Sequence, residues 1–176
     1  MTQSIDVLVI RGAPGTGKST LGRGLRRELP IGAVLEVDDF RSMLVKVDWS
    51  SRDHHDVALD AALSAMLAYL AHQQQPVVLI DTFSRSRLTS VLRQLEETKL
   101  VHQVLSLWLD PSALAGRLIS RSSGFKDWEP SRILNDEVRE NRYPNEVMVD
   151  VSSLDRDEVV GYALSVISKG AEAVTK

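Results

Sequence analysis

The chain has 176 residues, of which 43% are hydrophobic and 26% are charged, which is enough for one domain with a full core. It contains no cysteine, which excludes a disulfide framework and a thiolate metal site. Its net charge of −3 and its pI of about 5.8 disfavour a protein whose main work is binding duplex nucleic acid, because phosphate neutralisation calls for a basic surplus.

The hydropathy pattern predicts no contact with a membrane. No apolar run approaches the roughly 20 residues that a membrane span needs. Residues 1–6 lack the basic and then apolar layout of a signal peptide. We therefore expect a cytoplasmic protein.

The first predicted strand leads into a phosphate-binding motif. Ile5–Ile10 is a continuous apolar run, and Ser19–Leu29 has the pattern of a helix. The residues that match G-x-x-x-x-G-K-[ST] with one further threonine are Gly12, Ala13, Pro14, Gly15, Thr16, Gly17, Lys18, Ser19 and Thr20. In this motif backbone N–H groups surround nucleotide phosphates, the lysine reaches the β- and γ-phosphates, and the serine hydroxyl can ligate Mg²⁺. The motif predicts binding of a nucleoside triphosphate and leaves ATP or GTP open.

Two aspartates and an arginine follow the second predicted strand, Ala33–Val37. An acid at this position can accept the proton of an attacking hydroxyl or orient it, and Asp38 is our candidate. Arg41, about one helical turn further on, can clamp an anionic or polar acceptor with its planar guanidinium. One of the two acids, Asp38 or Asp39, is expected to cap a helix, and the sequence does not decide which.

The third predicted strand, Val77–Ile80, ends at Asp81. An apolar run followed by a carboxylate is the pattern that places an acid near Mg²⁺ in phosphate-loop proteins, where it can also contact the acceptor. The next residue is Thr82, at a position where motor-type ATPases commonly carry a glutamate that activates water. This favours transfer to a hydroxyl over hydrolysis. Arg85 and Arg87 are further candidates for contacting the acceptor.

Helical stripes separate the strands, and we interpret their apolar residues as core. The stripes consist of Leu59, Leu63, Met66, Leu67 and Leu70, then Leu88, Val91, Leu92 and Leu95, and finally Val159, Val160, Ala163, Leu164 and Ile167. We interpret His54-His55-Asp56 as the start of a helix. A metal site is disfavoured there, because adjacent histidines point apart on a helix and no third ligand is visible.

Two arginines follow the fourth predicted strand, Val104–Leu109. Asp110-Pro111 has the pattern of a helix N-cap followed by proline at the first helical position. On this helix Arg117 and Arg121 are four residues apart and share one face. The sequence predicts a small lid over about residues 117–130, whose arginines close over the triphosphate and neutralise charge that develops during phosphoryl transfer.

The last predicted strand, Val147–Val151, precedes a capping box formed by Asp155 and Glu158. The alternation of apolar strands and helices predicts one α/β layer fold, with a mostly parallel sheet and helices on both faces. Ligands bind beyond the carboxyl ends of the strands in such sheets. That edge is where the phosphate loop, Asp38 and Asp81 are expected to lie.

These residues resemble the small phosphate-loop kinases of the nucleoside-monophosphate-kinase type, over residues 5 to about 167. Polynucleotide 5′-kinase domains carry Gly-x-Pro-Gly-x-Gly-Lys-Ser-Thr and then Asp-Asp-Tyr-Arg. Residues 12–20 and 38–41 are similar to these two motifs, with phenylalanine in place of tyrosine. The resemblance implies that Asp38 is the general base and that Arg41 contacts the acceptor. It also implies that Arg117 and Arg121 are the lid arginines.

The chain also resembles the chloramphenicol phosphotransferase-like kinases, which phosphorylate a small-molecule hydroxyl. The similar parts are Ile80-Asp81 and the closing strand with the helix that follows it. In kinases of this type the loop after the last strand helps to hold adenine, which implies this role for Ser152 and Ser153. The resemblance to such kinases also implies the strand order 2-3-1-4-5.

The overall expectation is a single phosphate-loop kinase domain over residues 1–176 that uses ATP and Mg²⁺. The expected partner is a hydroxylated small-molecule acceptor. A 5′-hydroxyl at a nucleic acid end is the first alternative acceptor. A nucleotide-dependent switch or slow ATPase that acts through a partner is the second alternative function. The sequence does not predict the oligomeric state.

Overall fold

The computed structural model describes residues 5–122, 124–140, 142–144 and 146–169. Five parallel strands form one sheet in the order β2-β3-β1-β4-β5. The strands are β1 Val7–Gly12, β2 Ala33–Glu36, β3 Val77–Ile80, β4 His102–Trp108 and β5 Glu146–Asp150. The helices are α1 Lys18–Glu28, α2 Val37–Ser42, α3 Arg52–Ala71, α4 Arg85–Glu97, α5 Pro111–Ser120, α6 Trp128–Glu140 and α7 Arg156–Lys169. This confirms the predicted fold class and strand order.

Alternation along the central strand β1 builds a core on each face of the sheet. Leu8 and Ile10 pack in one apolar cluster with residues of α1, α5 and α7. Val7 and Val9 pack in a second cluster with residues of α3 and α4. Because both faces are covered, the strands are apolar on successive residues, as expected for a buried parallel sheet.

Two predicted helix starts are confirmed by their caps. The Asp110 side chain accepts a hydrogen bond from the Ser112 amide, 2.9 Å away, with Pro111 at the first helical position. At α7 the Asp155 amide donates to Glu158 Oε2 at 2.8 Å, and the Glu158 amide donates to Asp155 Oδ1 at 2.9 Å. Each side chain therefore satisfies an amide that the first helical turn leaves without a backbone partner.

Other local predictions are wrong. Helix α5 ends at Ser120, and Arg121 follows with an extended backbone, so Arg117 and Arg121 do not share a helical face. The predicted lid contains the start of α6, an unpredicted helix whose Asn135 exchanges hydrogen bonds with the backbone of Leu109. Leu67, which we interpreted as core, is 48% exposed. It lies on the outer side of α3, one residue beyond the buried Met66.

A buried polar network stands directly before the phosphate loop. Arg11, the penultimate residue of β1, is 0% exposed. Its Nη2 donates to Glu146 Oε1 at 2.6 Å, and its Nε donates to Ser106 Oγ at 2.9 Å. Ser106 also donates to Glu146. The network links β1, β4 and β5 at the point where β1 enters the loop. A buried arginine requires such partners, since an uncompensated charge is costly in the interior.

None of the helices within the described residues combines the length and apolar character that crossing a membrane requires.

Candidate active site

The phosphate loop joins β1 to α1 and surrounds the side chain of Lys18. Gly17 has φ of 98°, a left-handed conformation that turns the loop into the helix at almost no steric cost for glycine. Lys18 Nζ donates to the carbonyl oxygens of Gly12 and Ala13, at 2.8 and 3.0 Å. Thr16 is buried, and its hydroxyl donates to Ala13 O at 2.9 Å. The Lys18 ammonium is therefore held against neutral oxygens at the place where a phosphate binds in this motif.

The environment of Lys18 disfavours its charge. Loss of hydration lowers its pKa to about 8, and the Arg121 guanidinium acts in the same direction. Asp81 and Asp38 oppose this shift. Four predicted site residues therefore interact electrostatically with one another's surroundings, namely Lys18, Asp38, Asp81 and Arg121. A polyphosphate that binds there would restore the favourable environment of the ammonium.

Asp81 follows β3 and is 5% exposed. Its Oδ2 lies 2.9 Å from Nε2 of His55, a residue of α3 that is equally buried. The two atoms lie within ion-pair distance, but within the described residues neither has a hydrogen-bond partner with good geometry, so the pair is a close polar contact. From the sequence we interpreted His55 only as part of a helix start. It is four residues before the buried Leu59, however, so extending the stripe backwards by one turn would have found it.

The two aspartates after β2 have different surroundings. Helix α2 begins at Val37 with Glu36 in the N-cap position, so the expectation that Asp38 or Asp39 caps this helix is wrong. Asp39 is exposed and lies 3.2 Å from Nη2 of Arg26 on α1. Asp38 is also exposed, but partial loss of hydration and the nearby Asp81 carboxylate raise its pKa. Lys18, Arg41 and His55 oppose this shift. Asp38 is thus the acid that lies among the predicted site residues.

The two predicted lid arginines approach the phosphate loop from different backbone positions. A methyl group placed on Gly17 would lie 3.8 Å from Nη1 of Arg117, and Arg117 Nη2 donates to Val151 O at 3.4 Å. Arg121 follows α5, and its guanidinium packs against Gly124 while its charge influences Lys18. Both cations border the loop without sharing a helical face.

A cavity of about 390 Å³ opens at the amino ends of α3 and α4. Its lining consists of Arg41, Trp49, Ser50, Ser51, Arg52, His55, Ser84, Ser86 and Arg87. Arg41, predicted to contact the acceptor, is therefore a wall of a cavity. Arg87 is another wall, whereas Arg85 is exposed and does not line it. Asp38 is coupled to Arg41 and His55 on the cavity side and to Lys18 on the loop side.

Ser152 lies after β5, beside the start of α5. Its hydroxyl accepts a hydrogen bond from the Asp110 amide at 2.8 Å, and its amide donates to Asp150 Oδ1 at 2.9 Å. These contacts form a turn next to the backbone carbonyl of Val151 that Arg117 contacts. Ser152 and Ser153 remain predicted adenine contacts.

The oxygen donors at this edge suit a divalent cation that arrives with a nucleotide. The Ser19 hydroxyl is exposed at the start of α1, and Asp81 supplies a carboxylate. Across the described ranges no three His, Asp or Glu side chains form a group that holds a metal by itself. One or two protein oxygens completed by phosphates and water are the usual Mg²⁺ environment, so these residues fit that ion.

The fold agrees with comparisons to known proteins. Residues 7–144 match the AAA_33 family, which is described as an AAA domain. The chain belongs to the AAA_33 family. The match begins at β1 and therefore includes the phosphate loop, Asp38 and Asp81. No curated protein matches the chain in sequence at a significant level.

Solved structures with this fold include several kinases. A sugar kinase of Janibacter sp. HTCC2649 has a TM-score of 0.67 at 17% identity, covering 98% of this chain and 99% of its own. The tunicamycin resistance protein of Deinococcus radiodurans has a TM-score of 0.71 at 19% identity, covering 93% and 95%. A chain of the Pnkp1/Rnl/Hen1 complex has a TM-score of 0.56 at 21% identity, covering 73% and 44%. These TM-scores show a shared fold.

Proposed function

We propose that the protein transfers the γ-phosphoryl group of ATP to a hydroxyl of a small-molecule acceptor. One observation carries this proposal: Asp38 lies on α2, which begins where β2 ends at the phosphate-loop edge of the sheet and which also carries Arg41 of the cavity. An acid between a nucleotide site and a separate polar cavity has the position that a hydroxyl activator needs. The whole chain acts as one domain in this proposal, and residues 117–130 serve as the lid.

Each site residue has one role in the proposed step. The acceptor oxygen forms a bond to the γ-phosphorus while the bond to the β-phosphate bridging oxygen breaks, which releases ADP. Asp38 takes the proton of the acceptor hydroxyl. Lys18 neutralises charge on the transferred group, and Arg117 and Arg121 do so from the lid. Mg²⁺, held by Ser19 and Asp81 with the nucleotide, supplies further charge neutralisation when bound.

The raised pKa of Asp38 suits a proton acceptor. A carboxylate with a higher pKa is a stronger base, and Asp38 stays accessible to an incoming hydroxyl. His55 is a positioning residue, because its contact with Asp81 fixes the carboxylate that faces the loop. Thr82 follows Asp81, so the residue next to this acid offers no carboxylate to activate water.

A polynucleotide 5′-hydroxyl kinase is the second candidate. The observation in its favour is the fold shared with a chain of the Pnkp1/Rnl/Hen1 complex, together with Asp38 and Arg41 in the corresponding motif. The cavity volume of about 390 Å³ is within the range of small-molecule sites, which favours the first candidate. A nucleotide-dependent switch would use the same loop but would need no acceptor cavity.

The test is label transfer from γ-labelled ATP with Mg²⁺ to two sets of acceptors. One set contains hydroxylated metabolites and antibiotics, and the other contains 5′-hydroxyl DNA and RNA oligonucleotides. We expect label on a small molecule and none with Lys18→Met. Label on oligonucleotides alone would replace the proposal with the second candidate. Label only in free phosphate would support the switch and contradict both kinase proposals.

A further inference from the structure

We propose that the acceptor carries an anionic group, a phosphate or a carboxylate, in addition to the hydroxyl that is phosphorylated. Arg41 binds this group, and Arg87 of α4 is a second cation that lines the same cavity. The inference rests on the proposed function, since it names the acceptor class of the same site. It excludes cationic compounds as good acceptors.

Arg41 is a buried cation held by neutral groups. It is 7% exposed, and its Nη2 donates to the carbonyl oxygens of Asp48 and Ser51, at 3.1 and 2.9 Å. Its guanidinium lies 5.0 Å from the centre of the Trp49 ring. Its Nε is buried without a hydrogen-bond partner, and within the described ranges no carboxylate lies within 4.0 Å of its nitrogens. The Asp38 carboxylate interacts electrostatically with Arg41, but it interacts with Lys18 as well.

An arginine in this state is a preformed anion site. A buried charge is normally paired, because the interior does not replace the hydration that the charge has lost. Carbonyl oxygens occupy one nitrogen of Arg41 and leave the rest of its planar fork for a ligand. Trp49 covers the guanidinium and limits competition by water. A phosphate or carboxylate matches the fork with two parallel hydrogen bonds.

The other walls of the cavity have the same polarity. None of the nine described residues that line it carries a carboxylate. Arg87 and Arg52 both contact Asp56, at 3.3 and 3.7 Å, so one acid serves two arginines. Ser84 makes no side-chain cap hydrogen bond at the start of α4, which leaves the positive end of that helix towards the cavity. An anion therefore meets positive charge from α2, α3 and α4.

The size of the cavity restricts the ligand. Its volume of about 390 Å³ lies near the lower end of the range for small-molecule sites. The hydroxyls of Ser50, Ser51, Ser84 and Ser86 offer further hydrogen bonds to a polyol. A sugar phosphate or a sugar acid combines these dimensions, hydroxyls and charge.

The first experiment measures anion binding without turnover. Inorganic phosphate and, separately, acetate are titrated into the protein with the phosphate loop filled by a non-hydrolysable ATP analogue and Mg²⁺. Calorimetry and Trp49 fluorescence report binding. We expect wild type to bind at least one anion, Arg41→Met to bind it at least tenfold more weakly, and Arg41→Lys to have intermediate affinity, because lysine keeps the charge but loses the planar fork. The tighter of the two anions identifies the group.

The controls separate a local effect from misfolding. Arg93→Met removes an exposed arginine of α4 that pairs with Glu97, and it should bind as wild type does. Arg87→Met removes the second cation that lines the cavity and should weaken anion binding several-fold. It provides a second variant if Arg41→Met does not fold. The inference would be overturned if wild type bound neither anion. It would also be overturned if both cavity variants bound the anion as tightly as wild type does.

The second experiment compares matched acceptors. Glucose, glucose 6-phosphate, gluconate and glucosamine are offered with γ-labelled ATP. We expect an anionic compound to be labelled at least tenfold faster than its neutral counterpart, with the preference lost in Arg41→Met. Faster labelling of glucose or glucosamine, or of a 5′-hydroxyl oligonucleotide, would contradict the inference and leave the kinase function intact. Arg41-dependent anion binding without label on any hydroxyl compound would leave the anion site and remove the kinase function.

Discussion

The proposed nucleotide half and the proposed acceptor half of the site are built in different ways. The nucleotide half is one continuous loop between β1 and α1, with Lys18 folded onto the carbonyl oxygens of that same loop. The acceptor half combines residues of α2, α3 and α4 that are as far apart in sequence as Arg41 and Arg87. A short motif therefore reveals the first half, whereas only tertiary packing brings the second half together.

The two halves nevertheless have one feature in common, a cation that is hydrogen-bonded to backbone carbonyl oxygens. Lys18 donates to Gly12 O and Ala13 O, and Arg41 donates to Asp48 O and Ser51 O. Each half thus holds a desolvated cation against backbone oxygens. Such cations are costly in the free protein and become favourable when an anion binds. The comparison implies that both halves recognise negative charge, one on the nucleotide and one on the acceptor.

Removing the cation of the nucleotide half should have the largest effect. We expect Lys18→Met to lower phosphotransfer by roughly 10³-fold, the scale for losing a charge that stabilises a transition state. Steady-state kinetics with the acceptor found by label transfer measure this loss. Arg93→Met on the outer side of α4 is the control and should keep wild-type rates. Full phosphotransfer by Lys18→Met would refute the mechanism.

Replacing the acid between the two halves should have the next largest effect. We expect Asp38→Asn to lower kcat by about 10²-fold or more, since the amide cannot take the proton of the acceptor. Nucleotide affinity should change little, because a neutral side chain removes no contact with phosphate. Asp39→Asn is the matched control, as Asp39 faces Arg26. Unchanged turnover in Asp38→Asn would remove the base assignment and leave the fold and nucleotide site standing.

The His55–Asp81 pair allows the boundary between the halves to be tested. We expect His55→Gln to lower kcat about tenfold, the scale for residues that orient a metal-binding carboxylate. Raising the Mg²⁺ concentration should restore part of the rate, which a merely structural defect would not allow. His54→Gln changes the adjacent histidine, whose Nδ1 accepts from the Asp48 amide and which, within the described residues, has no contact with Asp81, so it should show no such Mg²⁺-dependent recovery. Equal kinetics in the two variants would exclude a positioning role for His55.

The pH dependence of nucleotide binding should show the smallest effect. The pKa of Lys18 is lowered to about 8 in the free protein, and a bound polyphosphate should raise it. The free protein therefore loses the proton as the pH rises above about 8, while the complex keeps it. Affinity should fall by up to about tenfold between about pH 7 and 9. Fluorescent nucleotide titrations in EDTA measure it, with Lys18→Arg as the control that stays charged. A flat wild-type profile would contradict the assigned environment of Lys18.

The elements that local patterns specify were predictable. The apolar strands, the Asp110-Pro111 cap and the Asp155–Glu158 capping box follow from neighbouring residues, and the structure confirms them. The position of Arg121 was not predictable from spacing, because α5 ends one residue earlier and the chain becomes extended. Spacing on a helix predicts a shared face only where the helix continues.

Residues that depend on distant partners were the hardest to predict. His55 gains its importance from Asp81, which is 26 positions further along the chain, and Arg11 from Glu146 on β5. A polar residue on an apolar stripe or strand signals burial but does not name its partner. Arg41 was predicted to contact the acceptor from its motif. Its lack of a carboxylate partner within the described residues became visible only in the structure.

The most direct test of the central claim is the balance between ADP and free phosphate in one reaction. The protein is incubated with ATP, Mg²⁺ and a pool of hydroxylated phosphates and acids, and both products are quantified over time. The account predicts that ADP exceeds free phosphate and that the difference equals the phosphorylated acceptor. Equal amounts of ADP and free phosphate with every pool would show that water is the acceptor, which would contradict the account.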